Sequence, residues 1–542
     1  MAMVETILLL LLAVVVSGTL ARITRIALPL VQIVLGAAIV LITGESVKLH
    51  PELFFLLFLP PLLFLDGWRI PKEDLVRDRI FILELALGLV IFTVLGVGML
   101  IYWMIPAVPM GVAFALAAIL SPTDPIAVAA IAKRAPIPKR IMHVLEGESL
   151  LNDASGLVCM KFAVAAVLTG VFSLPSAIAT FTWLALAGAA IGVGVTLAVH
   201  VLKRFVISRW GEDTGAQIII SLLIPFGAYI AAEHLHASGI LAAVAAGVTM
   251  SFTERSAQAL AVTRIRRTAV WDTVAFAANG VIFVLLGEQM PAIISGATEV
   301  ATTTGRGEAW WLAIYVLVIF AALAALRFAW VWTSLRLTLF KARAKGEAPP
   351  RVQWRLVLAM SLAGVRGAIT LAGILTLPLV MGDGTPFPVR DLAIFLAAGV
   401  IIISLVAATF LLPKVLNGLE LPPEPSFLEQ EDRARIAAAT AAMHAIENAQ
   451  HLMAKGNPDI DLTAEAASRL MEVYRARIEV RGPGMAESVE RARQSAIENR
   501  LRVAGLKAER KEILRLTRLH QLDEDASRKL VREIDLQEAR YA

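Results

Sequence analysis

Gly147-Glu148-Ser149-Leu150-Leu151-Asn152-Asp153-Ala154 sets two acids and an amide inside a run that is otherwise mostly apolar from Ile141 to Leu168. A carboxylate at bilayer depth is costly, so it reads by default as part of an ion or proton path. Two more interrupted apolar runs, Ser121-Pro122-Thr123-Asp124-Pro125 and Gly364-Val365-Arg366-Gly367, place further polar groups at the same expected depth. Together the three stretches point to a carrier.

Composition sets the class. Hydrophobic residues make up 58% of the chain and charged ones 18%. The charge collects in the last quarter, so a membrane domain, residues 1–416, precedes a soluble tail, 417–542. The single cysteine, Cys159, excludes an intramolecular disulfide framework and most zinc sites. Net positive charge does not imply nucleic acid, because membrane proteins concentrate Lys and Arg on the cytoplasmic side. The opening stretch Met1–Ala21 has Glu5 ahead of its apolar run and Arg22 and Arg25 behind it. That polarity suits a retained first helix with its N-terminus outside and is wrong for a cleaved signal.

The pattern gives about 13 apolar segments of spanning or near-spanning length. Their cores are Val4–Leu20, Ile26–Ile42, Leu53–Leu65, Ile80–Ile105, Val112–Ala132 and Ile141–Leu168, then Ile178–Val201, Ala216–Ala232, Ile240–Phe252, Val270–Leu286, Trp310–Leu335, Trp354–Leu379 and Leu392–Leu412. Alternate loops carry the cations: Arg22 and Arg25; Arg69, Lys72, Arg77 and Arg79; Lys133, Arg134, Lys139 and Arg140; Lys203, Arg204 and Arg209; Arg255, Arg264, Arg266 and Arg267; Lys341, Arg343, Lys345 and Arg351. The opposite loops offer little beyond Lys48, Arg306 and Arg390. One miscounted span would destroy this alternation, so it supports an odd number of spans with the C-terminus inside. Leu421-Pro422-Pro423-Glu424-Pro425 then breaks the last helix. The tail reads as amphipathic helices with loops at Gly456-Asn457-Pro458 and Gly482-Pro483-Gly484, and Leu470, Tyr474 and Ile478 form a helical stripe. It shows no phosphate loop, metal cluster or nucleophile constellation, and a bundle packing on the membrane domain or a neighbour explains it more simply than a catalytic module.

Depth arithmetic ties the polar groups together. Asp153 lies 12 residues after Ile141 and Arg366 lies 12 after Trp354, which is ~18 Å at the helical rise. Thr123 and Asp124 fall mid-way along the fifth segment. In a hydrocarbon core of ~30 Å all four meet near the midplane. Ser149 and Asp153 are four apart and share a helical face, able to offer hard oxygens to one small cation. Glu148 and Asn152 share the adjacent face, and Glu148 is free to pair with a cation such as Arg366. Pro122 and Pro125 flank Thr123-Asp124, an N-cap-like arrangement that would open a new half-helix and leave carbonyls near Thr123 available to a cation. Asp124 and Arg366 would offset the positive and negative ends of half-helices. Ordinary kinks would account for the prolines but not for the charges.

At these residues the chain resembles the bacterial NhaP-type sodium/proton antiporters of the cation:proton antiporter superfamily, related to the animal sodium/proton exchangers. The resemblance rests on Leu59-Pro60-Pro61-Leu62-Leu63-Phe64-Leu65-Asp66, Leu120-Ser121-Pro122-Thr123-Asp124-Pro125, Glu146 through Ala154, and Ala363-Gly364-Val365-Arg366-Gly367-Ala368. It covers Met1 to about Leu416, and the tail also looks like that of longer bacterial members. It implies an all-α polytopic membrane protein with inverted repeats, two crossed discontinuous helices and a helical cytoplasmic tail. It further implies a homodimer, with core helices at about 80–168 and 310–412 and dimerisation helices at about 4–66 and 216–286. By motif, Asp153 would bind the proton and the sodium ion, helped by Ser149 and the carbonyl of Thr123. Asn152 would hold the site together, Glu148 would pair with Arg366, and Asp66 stands where relatives carry an acid near the site. Asn before this aspartate implies exchange of one cation for one proton without net charge movement.

The implied activity is antiport of sodium, or lithium, against protons in the bacterial plasma membrane, serving pH and cation homeostasis, with no cofactor and no enzymatic reaction. A potassium/proton antiporter of the same fold is the alternative. A channel would require a selectivity filter, and a membrane sensor an output module; neither is visible. His234 and His236 resemble ligands but fall in an outer loop. Lys161 suits snorkelling, Asp272 and Asn279 suit interhelical hydrogen bonds, and Glu84 suits a neighbouring Arg.

Overall fold

Inside lipid every backbone N–H and C=O must be satisfied within the protein, so apolar runs of spanning length become helices. The computed structural model describes residues 2–44, 51–70, 79–124, 128, 139–170, 174–254, 261–303, 310–344, 354–381, 384–417, 425–454, 460–479, 485–519 and 521–541. It divides into two compact units, Met1–Glu420 and Leu421–Ala542.

The first unit opens with α1 (Ala2–Thr24), α2 (Leu28–Thr43) and α3 (Pro51–Arg69). Helix α4 (Arg79–Leu83) passes through a π-helical stretch, Glu84–Leu89, into α5 (Val90–Met104). Next come α6 (Met110–Leu120), α7 (Lys139–Thr169), α8 (Leu174–Trp210), α9 (Thr214–His234) and α10 (Gly239–Thr253). The unit closes with α11 (Ala261–Thr303), α12 (Trp310–Ala344), α13 (Trp354–Leu362), α14 (Ala368–Leu375) and α15 (Arg390–Leu416). All thirteen expected segments carry helix, and among the described residues eight helical runs are long and apolar enough to cross a membrane. Beyond Asp124 the second half of the fifth segment, including Pro125, lies outside the described residues except for Val128. So do Lys48, Lys72, Arg77, Lys133, Arg134, Arg255, Arg306, Lys345 and Arg351 of the connecting loops, and the tail breaks at 421–424, 456–458 and 482–484. Among the described residues the only β structure is a single bridge between Val380 and Pro386.

Two groups of helices pack around the broken segments. In one, α3, α8 and α9 lie on α10, and α2 lies on α11. Small residues permit this closeness: a Cβ on Gly36 of α2 would overlap the Val284 carbonyl of α11. In the other group α5 packs on α6, α6 on α7, and α12 on α13 and α15. The short α14 touches α3 and α11 on one side and α6 and α15 on the other. It therefore stands where the two groups meet.

The second unit holds α16 (Pro425–Ala454), α17 (Ile460–Glu479), α18 (Met485–Arg518) and α19 (Glu524–Tyr541). Helix α16 packs with α17 and α18 with α19, the second pair tied by Arg510 to Asp535 at 2.6 Å and to Glu538. The covered face of α17 runs through Thr463, Ala467, Met471, Tyr474 and Ile478, the 3.6-residue period of one helical stripe. Leu470, expected on that stripe, falls one position off it and is 52% exposed.

Candidate functional site

The site is built where two helices stop short. Helix α6 ends at Leu120, and Pro122, which lacks a backbone N–H, cannot continue its hydrogen-bond ladder. Helix α13 ends at Leu362, and the chain is unwound over 363–367 until α14 starts at Ala368. The two unwound segments cross: Asp124 N donates to Val365 O at 2.7 Å. They approach so closely that a Cβ on Gly367 would overlap the Asp124 carboxylate, so glycine is required there. Gly367 is the N-cap of α14 and brings no capping side chain. Asp124 thus lies at the positive end of that half-helix, where a negative charge is favoured.

Arg366 serves the opposite ends. Its buried guanidinium donates through Nε to Leu120 O at 2.9 Å and through Nη1 to Gly364 O, while its backbone N–H donates to Ser404 Oγ at 3.1 Å. These carbonyls close α6 and follow α13, and such terminal carbonyls have no partner within their own helices. Arg366 does not pair with Glu148, as the sequence reading expected. Its fork is taken up by carbonyls at the crossing. Glu148 is instead gripped by Arg327 of α12, with Nη1 to Oε1 at 2.5 Å and Nη2 to Oε2 at 2.7 Å, and the side chains of Glu148 and Arg327 are 1% and 2% exposed. This is the parallel two-bond geometry that arginine and carboxylate favour. Arg327 Nε also donates to Met360 O at 3.0 Å, anchoring α13.

The sequence reading missed Arg327. The signal was present: Leu326-Arg327-Phe328 is a charge inside an apolar run, open to the same depth argument that singled out Asp153.

On α7 the 3.6-residue period separates two jobs. Asn152 Nδ2 donates to Thr123 Oγ1 at 3.1 Å and to Glu148 Oε1 at 3.5 Å, and Thr123 Oγ1 donates to Glu148 Oε1 at 3.4 Å. This face bolts α7 to the break after α6. The other face carries Ser149 and Asp153 into a cavity of about 20 Å³ shared with Thr123, Asp124, Asp66, Asn279 and Gly367. Ser149, Thr123 and Asp153 are buried, Asp153 to 3% exposure. A volume of that order takes one water-sized occupant. The donors around it are hard oxygens, the set that suits an alkali or other hard cation and a proton rather than a soft metal. Asp66 arrives from α3 and Asn279 from α11, so both helix groups contribute.

Of the two residues expected to bond between helices, Asp272 does so and Asn279 does not. Asp272 pairs with Arg69 across α11 and α3. Asn279 donates within its own helix, to Ala275 O at 3.0 Å, and its Oδ1 has no partner among the described residues. Glu84 accepts from Ser334 Oγ at 2.7 Å in place of the expected arginine, because α12 faces the π-helical stretch there. Lys161 lies 3.8 Å from Glu233 across α7 and α9. His234 closes α9 and bonds to Ile230 O, and His236 occupies the following turn with φ of 50°.

A family model described as sodium/hydrogen exchanger, transmembrane, matches residues 8–418. The chain belongs to the sodium/hydrogen exchanger family. It is 41% identical over 545 residues to the uncharacterized Na(+)/H(+) exchanger YjcE of Escherichia coli (strain K12), covering 98% of each chain. It is 37% identical over 512 residues to the sodium, potassium, lithium and rubidium/H(+) antiporter of Bacillus pumilus (strain SAFR-032), covering 93% of this chain and 73% of that one. The sodium proton antiporter MjNhaP1 from Methanocaldococcus jannaschii has the same fold, with a TM-score of 0.59 at 16% identity, covering 77% of this chain and 98% of that chain. This member of the exchanger family is thus a multi-pass membrane protein whose helix break and acidic cavity fall inside the matched region.

Proposed function

We propose that the protein exchanges a monovalent cation, sodium or lithium, for a proton across the bacterial plasma membrane, with Asp153 as the group both cargoes share. The observation that supports this reading is the buried Asp153 facing a one-occupant cavity of oxygen donors, while the other acid of its motif, Glu148, is already neutralised by Arg327. Proton and cation compete for one carboxylate, so each expels the other. If only the neutralised site crosses between inward- and outward-facing states, counterflow follows without ATP. Ser149 and Thr123 complete the oxygen shell of the ion; Asn152, Asp124, Glu148 and Arg366 hold the crossing in shape. Exchange is one for one and electroneutral, because Asn152 precedes Asp153 and cannot titrate.

The assembly is a homodimer in which the helix group of α1 to α3 and α9 to α11 stays fixed while the group of α4 to α7 and α12 to α15 moves against it. The N-terminus faces outward and the tail the cytoplasm, as the basic loops indicate. Potassium is the second cargo to test, since the Bacillus pumilus relative is named for sodium, potassium, lithium and rubidium. The decisive measurement is proton movement in proteoliposomes with each cation separately. Asp153→Asn should abolish exchange in a protein that still inserts and extracts as a single species. Retained exchange in that variant would exclude Asp153 as the shared site.

A further inference from the structure

Away from the crossing, helices α8, α9, α10 and α11 enclose a second cavity of about 570 Å³. Its polar lining is dominated by Lys203, Arg204, Arg264 and Arg267, against the carboxylates of Glu212 and Glu254. Four cations therefore face two acids. Arg267 is the unusual member. It is 2% exposed, its Nη2 pairs with Glu254, and its guanidinium lies 5.4 Å from the ring centre of Trp68. Its Nε and Nη1 have no hydrogen-bond partner among the described residues. Glu254 accepts from Trp68 Nε1 at 2.9 Å through its other oxygen and makes no hydrogen bond to Arg267 Nε or Nη1. A buried guanidinium with two unmet N–H groups is costly, and a site that keeps one is built to have them met by something else.

The walls state what kind of molecule that is. Val199, Ile220, Ile224 and Met250 line the cavity beside the charges, and Leu202, Val206, Ile219 and Leu223 on the same helices are exposed apolar residues. A free anion would use the cations and leave the apolar walls bare. A phosphate ester with acyl chains would use both. The basic residues lie at the ends of α8 and α11 that the charge pattern assigns to the cytoplasmic side, where anionic lipids collect.

The geometry points to an anionic phospholipid site in this cavity, its phosphate held by Arg267, Lys203 and Arg264 and its chains lying along α8 and α9. The antiport cavity shares no residue with it.

The test uses the full-length protein, purified in detergent and mixed with phosphatidylglycerol, phosphatidylcholine or inorganic phosphate. Native mass spectrometry reads the retained adduct and thermal unfolding reads stabilisation. Phosphatidylglycerol should stay bound and raise the melting temperature, with phosphatidylcholine and phosphate giving neither. Lys203→Gln with Arg264→Gln, at the mouth of the cavity, should weaken retention by about tenfold or more. Lys203→Arg with Arg264→Lys should keep it, and Arg22→Gln, on α1, should leave it unchanged. Equal retention of phosphatidylcholine would overturn the site. So would phosphatidylglycerol binding that survives the mouth substitutions. Full stabilisation by inorganic phosphate alone would overturn the lipid as its source.

Discussion

Removing half of the Glu148–Arg327 pair should be far worse than removing both. Arg327→Met leaves a carboxylate, 1% exposed, with only the long contacts from Thr123 and Asn152 at 3.4 and 3.5 Å. Glu148→Gln leaves a buried guanidinium with no compensating charge, its Nε still bonded to Met360 O and its fork facing an amide that can accept through one oxygen only. Stranding one charge of a buried pair costs about 3–5 kcal/mol, whereas replacing both partners by groups of similar volume is often close to neutral. Against a typical total stability of about 5–15 kcal/mol, each single change is severe. Glu148→Gln combined with Arg327→Met should therefore recover most of the loss, with a coupling of roughly 3 kcal/mol between the sites. The assay is the melting temperature of the detergent-extracted protein, read by the fraction that stays monodisperse after heating. Both single variants should melt several degrees below the parent and the double variant close to it. A double variant that melts as low as the sum of the singles would refute the pairing. So would rescue of Glu148→Gln by Arg366→Met instead.

Lowering the pH should raise the cation concentration needed for half-maximal exchange, by about tenfold per pH unit once the shared carboxylate is mostly protonated; a half-saturation value independent of pH would exclude competition at one site. Asp66→Asn should shift cation affinity but leave exchange measurable, whereas Asp153→Asn should not; equal loss in both would make Asp66 an equal partner in carrying the cargo. Gly367→Ala should lower the melting temperature by the equivalent of about 1–3 kcal/mol through overlap with Asp124, while Gly505→Ala in the tail, where a Cβ meets nothing within 4 Å, should not.

The helices and their breaks could be read from the chain because the bilayer forces a simple code of apolar length and one-sided charge. The meeting of Asp153, Thr123, Asp124 and the Gly364–Gly367 stretch followed from depth alone. Partner choice did not. Arg366 and Arg327 are both buried cations within reach of the same neighbourhood, and only the path of the backbone decides which one meets carbonyls and which meets Glu148. Spacing along a chain places a residue at a depth but does not give its bearing around the helix bundle. For the same reason Asn279 and Glu84 drew wrong partners, while Asp66, on a segment the motifs tied to the site, drew the right neighbourhood.

The charges around the crossing bear on the proposed one-for-one exchange. The buried cations are Arg327 and Arg366, and the acids around them are Glu148, Asp124, Asp66 and Asp153. Arg327 cancels Glu148 outright. Arg366 and Asp124 sit at opposite kinds of helix end, each with the half-helix partial charge that suits it. Asp66 and Asp153 are left over, one on each of the two helix groups. Asp66 belongs to the α3 and α10 side, and Asp153 to the α6 and α7 side. If those groups move against each other, the charge that must be neutralised for the moving side to cross is that of Asp153 alone, and a single proton or a single monovalent cation does so equally. The proposed one-for-one exchange then rests on two features together: Asp153 is the acid on the moving side, and its neighbour Asn152 cannot titrate.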